Sequence, residues 1–235
     1  MIRVVLFDLD GTLLPMDQDE FMKAYMGTMA EKLVPHGYEP NKLAPAVWSG
    51  VKAMVMNDGS YSNEEAFWNT FCGIVGEKAR ADAPIFEDYY KNEFQTVKNS
   101  CGYDEKAKQI VLKLKEKGYR VVLATNPLFP SIATESRIRW AGLEPSDFEL
   151  FTTYENYHYC KPNQKYYLEI LEKLDVSPEE CMMVGNDVTE DMMTKELGMQ
   201  VFLLTGSLIN KENKDISQYP NGGFEELLAY IEAHM

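Results

Sequence analysis

IRVVLFDLDGT, residues 2–12, joins a short apolar run to a turn that carries two carboxylates. An apolar, β-branched run of this length, bounded by turn residues, predicts a buried strand. Asp8 and Asp10 follow at its C-terminal end, where ligands bind in open α/β sheets. Neighbouring carboxylates repel each other and need a cation or protons, and Mg²⁺ is the natural candidate because it prefers oxygen ligands. An Asp and a Gly after a strand can also form a simple turn. The rest of the chain must therefore decide between a ligand site and a turn.

Length and composition are those of an ordinary globular protein. The chain has 235 residues, of which 45% are hydrophobic and 26% charged. This length allows one good core with an accessory subdomain. The formal net charge of -14 disfavours nucleic acid and anionic membranes as partners. Any phosphate site must therefore be locally positive.

The cysteines and the termini indicate an intracellular setting. Four cysteines are present without a C-x-x-C pair or metal-ligand spacing, so we expect reduced thiols in the cytoplasm. Cys160 is expected to serve in packing. The chain enters its first strand directly, which predicts no signal peptide, and no apolar stretch approaches the length of a membrane span.

Residues 15–100 show helical periodicity and no convincing strand. Apolar residues recur every four positions in the first run, and Ser62 with Glu65 predicts a capping box in a later one. The methionine and aromatic stripes predict the core of a small helical bundle. Trp48 and Trp68 could line a substrate pocket, but we expect them to pack within this bundle. The predicted helical runs cover about 21–33, 41–56, 62–75 and 84–97.

From about residue 104 helices alternate with strands, which predicts a parallel sheet covered on both faces. The first strand must join that sheet, so the helical segment is an insertion. We predict an α/β fold with a Rossmann-like, doubly wound core domain (1–14 and 101–235) and an inserted helical subdomain (15–100). The predicted strands lie at 119–124, 148–152, 181–184 and 200–204, and the predicted helices at 105–117, 131–141, 163–174, 188–197 and 223–234.

Polar residues follow two more of these strands. Thr125 and Asn126 end one strand, and the run Gly185-Asn186-Asp187 ends another, with Asp191 four residues further on. Lys161, followed by Pro162, lies in a loop between them. Parallel strands would bring these groups to one crevice at one edge of the sheet.

This ordered set resembles the haloacid dehalogenase superfamily of phosphohydrolases. Residues 8–12 match its first motif, Thr125 its second, Lys161 its third, and residues 185–187 with Asp191 its fourth. The helical insertion is similar to the cap that the family places directly after the first motif. Four motifs in order are a far more specific signal than any one alone.

The resemblance implies a role for each motif residue. Asp8 would be the nucleophile and form an aspartyl-phosphate, while Asp10 would act as general acid for the leaving alcohol and then as base for water. Gly11 would permit the bend after the strand and a close backbone approach. The residues expected to hold the phosphoryl group are Gly11, Thr125, Asn126 and Lys161, with Lys161 supplying the local positive charge.

The resemblance also implies a Mg²⁺ site formed by Asp8, the Asp10 backbone carbonyl and the fourth motif. The chain departs from the family here, because Asn186 stands where an acid usually follows the glycine. We expect Asp187 to ligate the metal, with Asn186 either adding an amide oxygen or lying behind the ligands. Asp191 would orient waters or hold Lys161, the alternative being an ordinary acid at a helix start.

These expectations favour a Mg²⁺-dependent phosphatase that acts on a small phosphorylated metabolite, as a monomer or weak homo-oligomer. Asp10 argues against the metal-free dehalogenases that name the superfamily. Two alternatives stay open, namely a sugar phosphomutase of the same superfamily and a non-catalytic module that binds phospho-ligands. The cap is expected to close over the crevice on hinges near Leu13–Asp17 and Ser100–Asp104.

Overall fold

A computed structural model describes residues 2–234, which form a six-stranded parallel sheet with helices around it. The strand order is β3-β2-β1-β4-β5-β6. Strand β1 is central, and its four residues are fully buried. The strands are β1 (Val4–Phe7), β2 (Arg120–Leu123), β3 (Leu150–Phe151), β4 (Cys181–Gly185), β5 (Gln200–Leu204) and β6 (Asn221–Gly222).

The register of the central strands places their C-terminal ends side by side. Phe7 pairs with Leu123 of β2 on one side and with Val184 of β4 on the other. The residues that follow these three strands therefore begin at the same level of the sheet, as the sequence predicts.

Alternation along β1 divides the core into two layers. Val5 and Phe7 belong to one apolar cluster, and Val4 and Leu6 belong to the other. Both faces of a strand are buried in this way only when helices cover both sides of the sheet, which confirms the predicted doubly wound class. The helices in this part of the chain are α6 (Glu105–Glu116), α7 (Ser131–Trp140), α8 (Gln164–Leu174) and α9 (Phe224–His234), after α1–α5 of the insertion described next.

The insertion between β1 and α6 is built from helices joined by short turns, and its described residues form none of the strands of the sheet. Asp17 caps the first helix by accepting from two backbone N–H groups, and Ser62 with Glu65 forms the predicted capping box of the third. An aromatic cluster fills the interior, and the partly buried Trp68 packs edge-on against Phe71 there. The helices are α1 (Gln18–Leu33), α2 (Pro40–Val55), α3 (Asn63–Val75), α4 (Lys78–Ala81) and α5 (Ala83–Lys91).

Two predicted helices differ from the structure, and one short strand was not predicted. The helix predicted over 84–97 breaks at Asn92, whose backbone leaves helical geometry, and continues as a 3₁₀ segment over Glu93–Ser100. The helix predicted over 188–197 is a 3₁₀ segment over Met192–Leu197, because residues 187–191 form a turn held by side chains. The two-residue strand β6 was missed, since so short an edge strand has no periodicity to detect.

The two segments that connect the sheet to the insertion lie side by side. Met16 pairs with Cys101 in an antiparallel bridge, and the Gly102 N–H donates to the Pro15 carbonyl at 2.7 Å. Within residues 2–234, none of the helices combines the length and the apolar character needed to cross a membrane.

Candidate functional site

The predicted motif residues meet at the C-terminal edge of the sheet. Asp8 directly follows β1, and its Oδ1 atom accepts from Lys161 Nζ at 2.8 Å. The same Nζ atom donates to Asp191 Oδ1 at 2.7 Å. All three side chains are buried, and Lys161 is only 2% exposed. The structure therefore joins the first, third and fourth motifs through one cation, and Asp191 holds Lys161 as one of the two sequence-based readings expected.

Burial and charge act in opposite directions within this group. Burial by itself lowers the pKa of Lys161, but the negative charges of Asp191 and Asp8 outweigh it and keep the pKa well above its usual value. Burial likewise raises the pKa of Asp191, and the positive charge of Lys161 opposes that rise. Lys161 thus lies where the sequence requires local positive charge, between two carboxylates that favour its charged form.

Asn186 and Asp187 occupy different positions around Asp8. The Thr12 hydroxyl lies 3.0 Å from both Asp8 Oδ2 and Asn186 Oδ1, so both oxygens surround the same hydroxyl group. Asn186 is oriented by its Nδ2 atom, which donates to the Ser207 carbonyl at 2.6 Å. Asp187 Oδ1 instead accepts from the backbone N–H groups of Thr189 and Glu190. Asn186 therefore presents its amide oxygen beside Asp8, while one Asp187 oxygen is used to hold its own turn.

Two glycines allow this close packing. Gly11 has φ +86°, and a Cβ atom there would lie 2.3 Å from Asn186 Nδ2. A Cβ atom on Gly185 would lie 2.1 Å from Asp191 Oδ2. Gly11 thus provides the predicted bend, and the group that closely approaches it is the Asn186 side chain.

Arg137 was missed by the sequence analysis. It lies on α7, is 0% exposed, and forms an ion pair with Asp10 Oδ2. Its guanidinium lies over the Phe129 ring at 4.3 Å from the centroid. Burial raises the pKa of Asp10, the positive charge of Arg137 opposes that rise, and the charge of Asp8 adds to it. The sequence did carry one signal for Arg137. It lies four positions after Ala133, so a charged residue falls on the apolar face of α7.

Thr125 and Asn126 are held in place from behind. The Thr125 carbonyl accepts hydrogen bonds from the hydroxyls of Thr152 and Tyr166. Asn126 Oδ1 accepts from the Lys161 backbone N–H at 3.2 Å. The second and third motifs are thereby tied to each other, and both Thr125 and Asn126 line the crevice described next.

A cavity of about 240 Å³ opens at this sheet edge and carries most of the motif residues on its walls. Phe21, Met22 and Trp48 of the insertion form its opposite side. The expectation that Trp48 packs inside the bundle is wrong, because its side chain is 51% exposed at this cavity. From the core, the lining includes Asp8, Asp10, Thr125, Asn126, Asn186, Asp187, Glu190 and Asp191.

The oxygen atoms at this cavity suit a hard cation. Within residues 2–234, no three His, Cys, Asp or Glu side chains form a metal cluster of their own. Mg²⁺ is usually held by only one or two carboxylates, with substrate phosphate and water completing its shell, so this finding is compatible with it. Asp8 and Asn186 both line the cavity, and Asp8 Oδ2 and Asn186 Oδ1 both lie 3.0 Å from the Thr12 hydroxyl. Asp10 Oδ1 is buried and has no hydrogen-bond partner among the described residues.

The family model for haloacid dehalogenase-like hydrolases matches residues 2–198, which include every motif described above. The chain belongs to this family. Its sequence identity to known proteins is low. It is 23% identical to the pyrophosphatase PpaX of Bacillus cereus over 79% of this chain and 75% of that one. It is 24% identical to the glyceraldehyde 3-phosphate phosphatase of Methanothermobacter thermautotrophicus over 93% and 92% of the two chains.

Solved structures of this haloacid dehalogenase-like class share the fold. The 2-haloacid dehalogenase from Pseudomonas syringae superposes with a TM-score of 0.65 at 17% identity and covers all of both chains. The HAD-hydrolase YfnB from Bacillus subtilis, bound to magnesium, superposes with a TM-score of 0.56 at 16% identity over 100% of this chain and 99% of that one. These likenesses establish the architecture of this family member.

The cysteines of this hydrolase are expected to be unreactive. Burial raises the pKa of all four thiols, to about 11 for Cys101 and about 12 for Cys181. A pKa of about 11 leaves roughly one thousandth of the thiol ionised at pH 8, and the thiolate is the reactive form. We therefore expect the native protein to react with Ellman's reagent at pH 8 far more slowly than the unfolded protein. Rapid modification of Cys160, beside Lys161, would contradict this expectation.

Proposed function

We propose that this protein is a Mg²⁺-dependent phosphatase that hydrolyses a small phosphorylated metabolite through an aspartyl-phosphate. One observation carries the proposal: the Asp8 carboxylate is held by a buried lysine at a cavity that Asp10 also lines. A nucleophile, a cation and a second acid are the groups that two-step phosphoryl transfer requires. The family match and the phosphatase among the relatives support the same reaction class.

Asp8 is the proposed nucleophile. Lys161 and the Thr12 hydroxyl contact different oxygens of its carboxylate, which fixes the orientation of the attacking group. Lys161 also carries the positive charge that offsets the phosphoryl oxygens. Asp191 holds Lys161 from the other side, so it is a positioning residue in this proposal. Thr125 and Asn126 complete the phosphoryl site from the neighbouring strand.

Asp10 is the proposed acid and base. Its Oδ2 atom is paired with Arg137, whereas its Oδ1 atom has no partner among the described residues and is available for a proton. In the first step a proton on Asp10 passes to the leaving alcohol oxygen as the phosphorus–oxygen bond breaks. In the second step Asp10 takes a proton from the water that attacks the aspartyl-phosphate.

Asp8, Asn186 and the Asp10 backbone carbonyl are the groups that would hold Mg²⁺. The ion would neutralise phosphoryl charge when bound. The sequence favours Asp187 as the fourth-motif ligand. In the structure the Thr12 hydroxyl contacts both Asp8 Oδ2 and Asn186 Oδ1, and one Asp187 oxygen is used within its own turn, which together favour Asn186.

Residues 15–100 are the proposed cap, with Leu13–Asp17 and Ser100–Asp104 as its hinges. Support comes from the two connecting segments, which lie side by side, and from Phe21, Met22 and Trp48, which face the motif residues across the cavity. Closure of these residues would exclude water and select the alcohol part of the substrate.

Phosphate release from p-nitrophenyl phosphate tests the proposed reaction. We expect turnover with Mg²⁺, loss of turnover after chelation, and recovery when Mg²⁺ is restored. Equal rates with and without the chelator would refute the metal dependence. Measurable binding of phosphate esters without any turnover would instead support the non-catalytic alternative.

Asn186 and Asp187 are distinguished by their effects on Mg²⁺ binding. We expect Asn186→Ala to raise the Mg²⁺ concentration needed for half-maximal thermal stabilisation by about tenfold or more, because a ligand beside Asp8 is lost. Asp187→Ala should mainly lower the melting temperature, because it removes two hydrogen bonds within a turn. Thermal shift titrations with MgCl₂ measure both effects. The reverse pattern would assign the metal to Asp187.

A further inference from the structure

A second cavity extends the proposed active site into the insertion. Its volume is about 80 Å³, and four residues line both it and the larger cavity. These shared residues are Met22, Trp48, Leu128 and Phe129. The two cavities therefore adjoin, with these four residues at their common boundary.

The second cavity offers no counter-charge to an anion. None of the described residues that line it is charged, and its only side-chain hydroxyls belong to three tyrosines. The hydroxyls of Tyr25 and Tyr90 lie 2.9 Å apart, so one of them donates a hydrogen bond to the other. The Tyr154 hydroxyl accepts from Trp68 Nε1 at 3.4 Å. A second phosphate or a carboxylate placed there would lose its hydration without gaining a cation, which is costly.

The larger cavity does not supply a second cation in this direction either. Lys211 is the only Lys or Arg among the described residues that line it, and it is exposed. Lys211 also lines an outer groove together with Asp17 and Asp19, away from the apolar cavity. The positive charge of Lys161 is already paired with Asp8 and Asp191 at the phosphoryl site.

We propose that the substrate is a phosphate monoester whose alcohol carries a compact, uncharged apolar group, and that this group enters the second cavity. This inference rests on the proposed phosphatase function. The size limit follows from the volume, which is roughly half of the ~150 Å³ apolar cavity that accommodates benzene. A short or branched alkyl group fits this space, and the flexible Met22 and Met29 side chains can adapt to its shape.

A series of alkyl phosphates tests the proposal. Ethyl, propyl, butyl and isoamyl phosphate have similar leaving groups and differ mainly in apolar length. We expect kcat/KM to rise about fourfold for each methylene that enters the cavity, which corresponds to ~0.8 kcal/mol per buried methylene. Butyl phosphate with a terminal carboxylate should lose this gain. A flat series, or a preference for the carboxylated ester, would overturn the inference.

Two matched substitutions on α2 locate the effect. Val51 lines the second cavity, and Val55, four residues later, is 40% exposed and does not line it. Val51→Phe should fill the cavity and reduce the isoamyl-to-ethyl ratio of kcat/KM towards one, whereas Val55→Phe should keep the wild-type ratio. If Val51→Phe fails to fold, Trp48→Ala, which removes the exposed wall shared by both cavities, should also lower the ratio. An unchanged ratio in the folded cavity variant would contradict the proposed site.

Different results would refute the phosphatase function and the apolar subsite. If ethyl phosphate and p-nitrophenyl phosphate are hydrolysed but alkyl length has no effect, the phosphatase function stands and the apolar subsite is refuted. If no ester releases phosphate in Mg²⁺, the proposed function is refuted and the substrate class with it.

Discussion

Asp8→Asn is expected to lower the kcat for phosphate release by at least about 10⁴-fold. An amide oxygen is a far weaker nucleophile than a carboxylate, and loss of a covalent nucleophile in another hydrolase costs ~10⁶-fold. The substitution is nearly isosteric, so the amide oxygen can keep the contact with Lys161 while the amide NH2 group donates to the Thr12 hydroxyl oxygen instead of accepting from it. Lys161 also keeps Asp191 as a partner. The measurement is phosphate release from p-nitrophenyl phosphate, together with the melting temperature of the variant.

Asp215→Asn is the matched control for this experiment. Asp215 is exposed, and its side chain bonds only to Ser217 in the described structure. The same chemical change there should leave kcat within about twofold of the wild-type value, because surface substitutions far from a core or a functional site usually have small effects. An Asp8→Asn protein that folds and keeps more than a tenth of the wild-type rate would refute Asp8 as nucleophile.

Arg137→Met is expected to destabilise the fold by about 3 kcal/mol, the lower end of the range for breaking a buried ion pair, because it leaves Asp10, whose side chain is 22% exposed, without its cation. It also removes the contact of the guanidinium with Phe129. For a chain of this length the melting temperature should fall by about 10 °C. Adding Asp10→Asn should recover part of the loss, since both charged partners are then absent.

Arg139→Met provides the comparison on the same helix. Arg139 is exposed and pairs with Glu135 and Glu144 at 3.1 and 3.3 Å. Surface ion pairs of this kind contribute about 0–1 kcal/mol, so the control should melt close to the wild type. Denaturant unfolding of both variants measures the difference. Equal stabilities would show that the ion pair between Arg137 and Asp10 contributes little to the fold.

The order of the motifs and the class of the fold could be predicted from the sequence. A short apolar run followed by Asp8 and Asp10 indicates a strand with ligands at its end, and the later alternation of helices and strands indicates a parallel sheet. Because parallel strands end at one edge, the approach of Thr125 and the fourth motif to Asp8 follows from topology alone. The observed register, with Phe7 opposite Leu123 and Val184, agrees.

Side-chain partners required the folded arrangement. Arg137 is separated from Asp10 by 127 positions, and no local pattern specifies which helix face meets the first turn. Val47 and Trp48 are adjacent apolar residues on α2, yet Val47 is buried and Trp48 is half exposed at the cavity. The Ser207 carbonyl, in the loop after β5, orients Asn186, although the two residues are 21 positions apart.

The sequence by itself thus determined the sheet, the insertion and the edge at which the motif residues collect, because these depend on hydrophobic period and chain order. Only the tertiary structure decided that Asn186 lies beside Asp8, that Arg137 holds Asp10, and that an apolar cavity adjoins the crevice. These features depend on how helices dock against the sheet, and docking is set by long-range packing of side chains that no local pattern encodes.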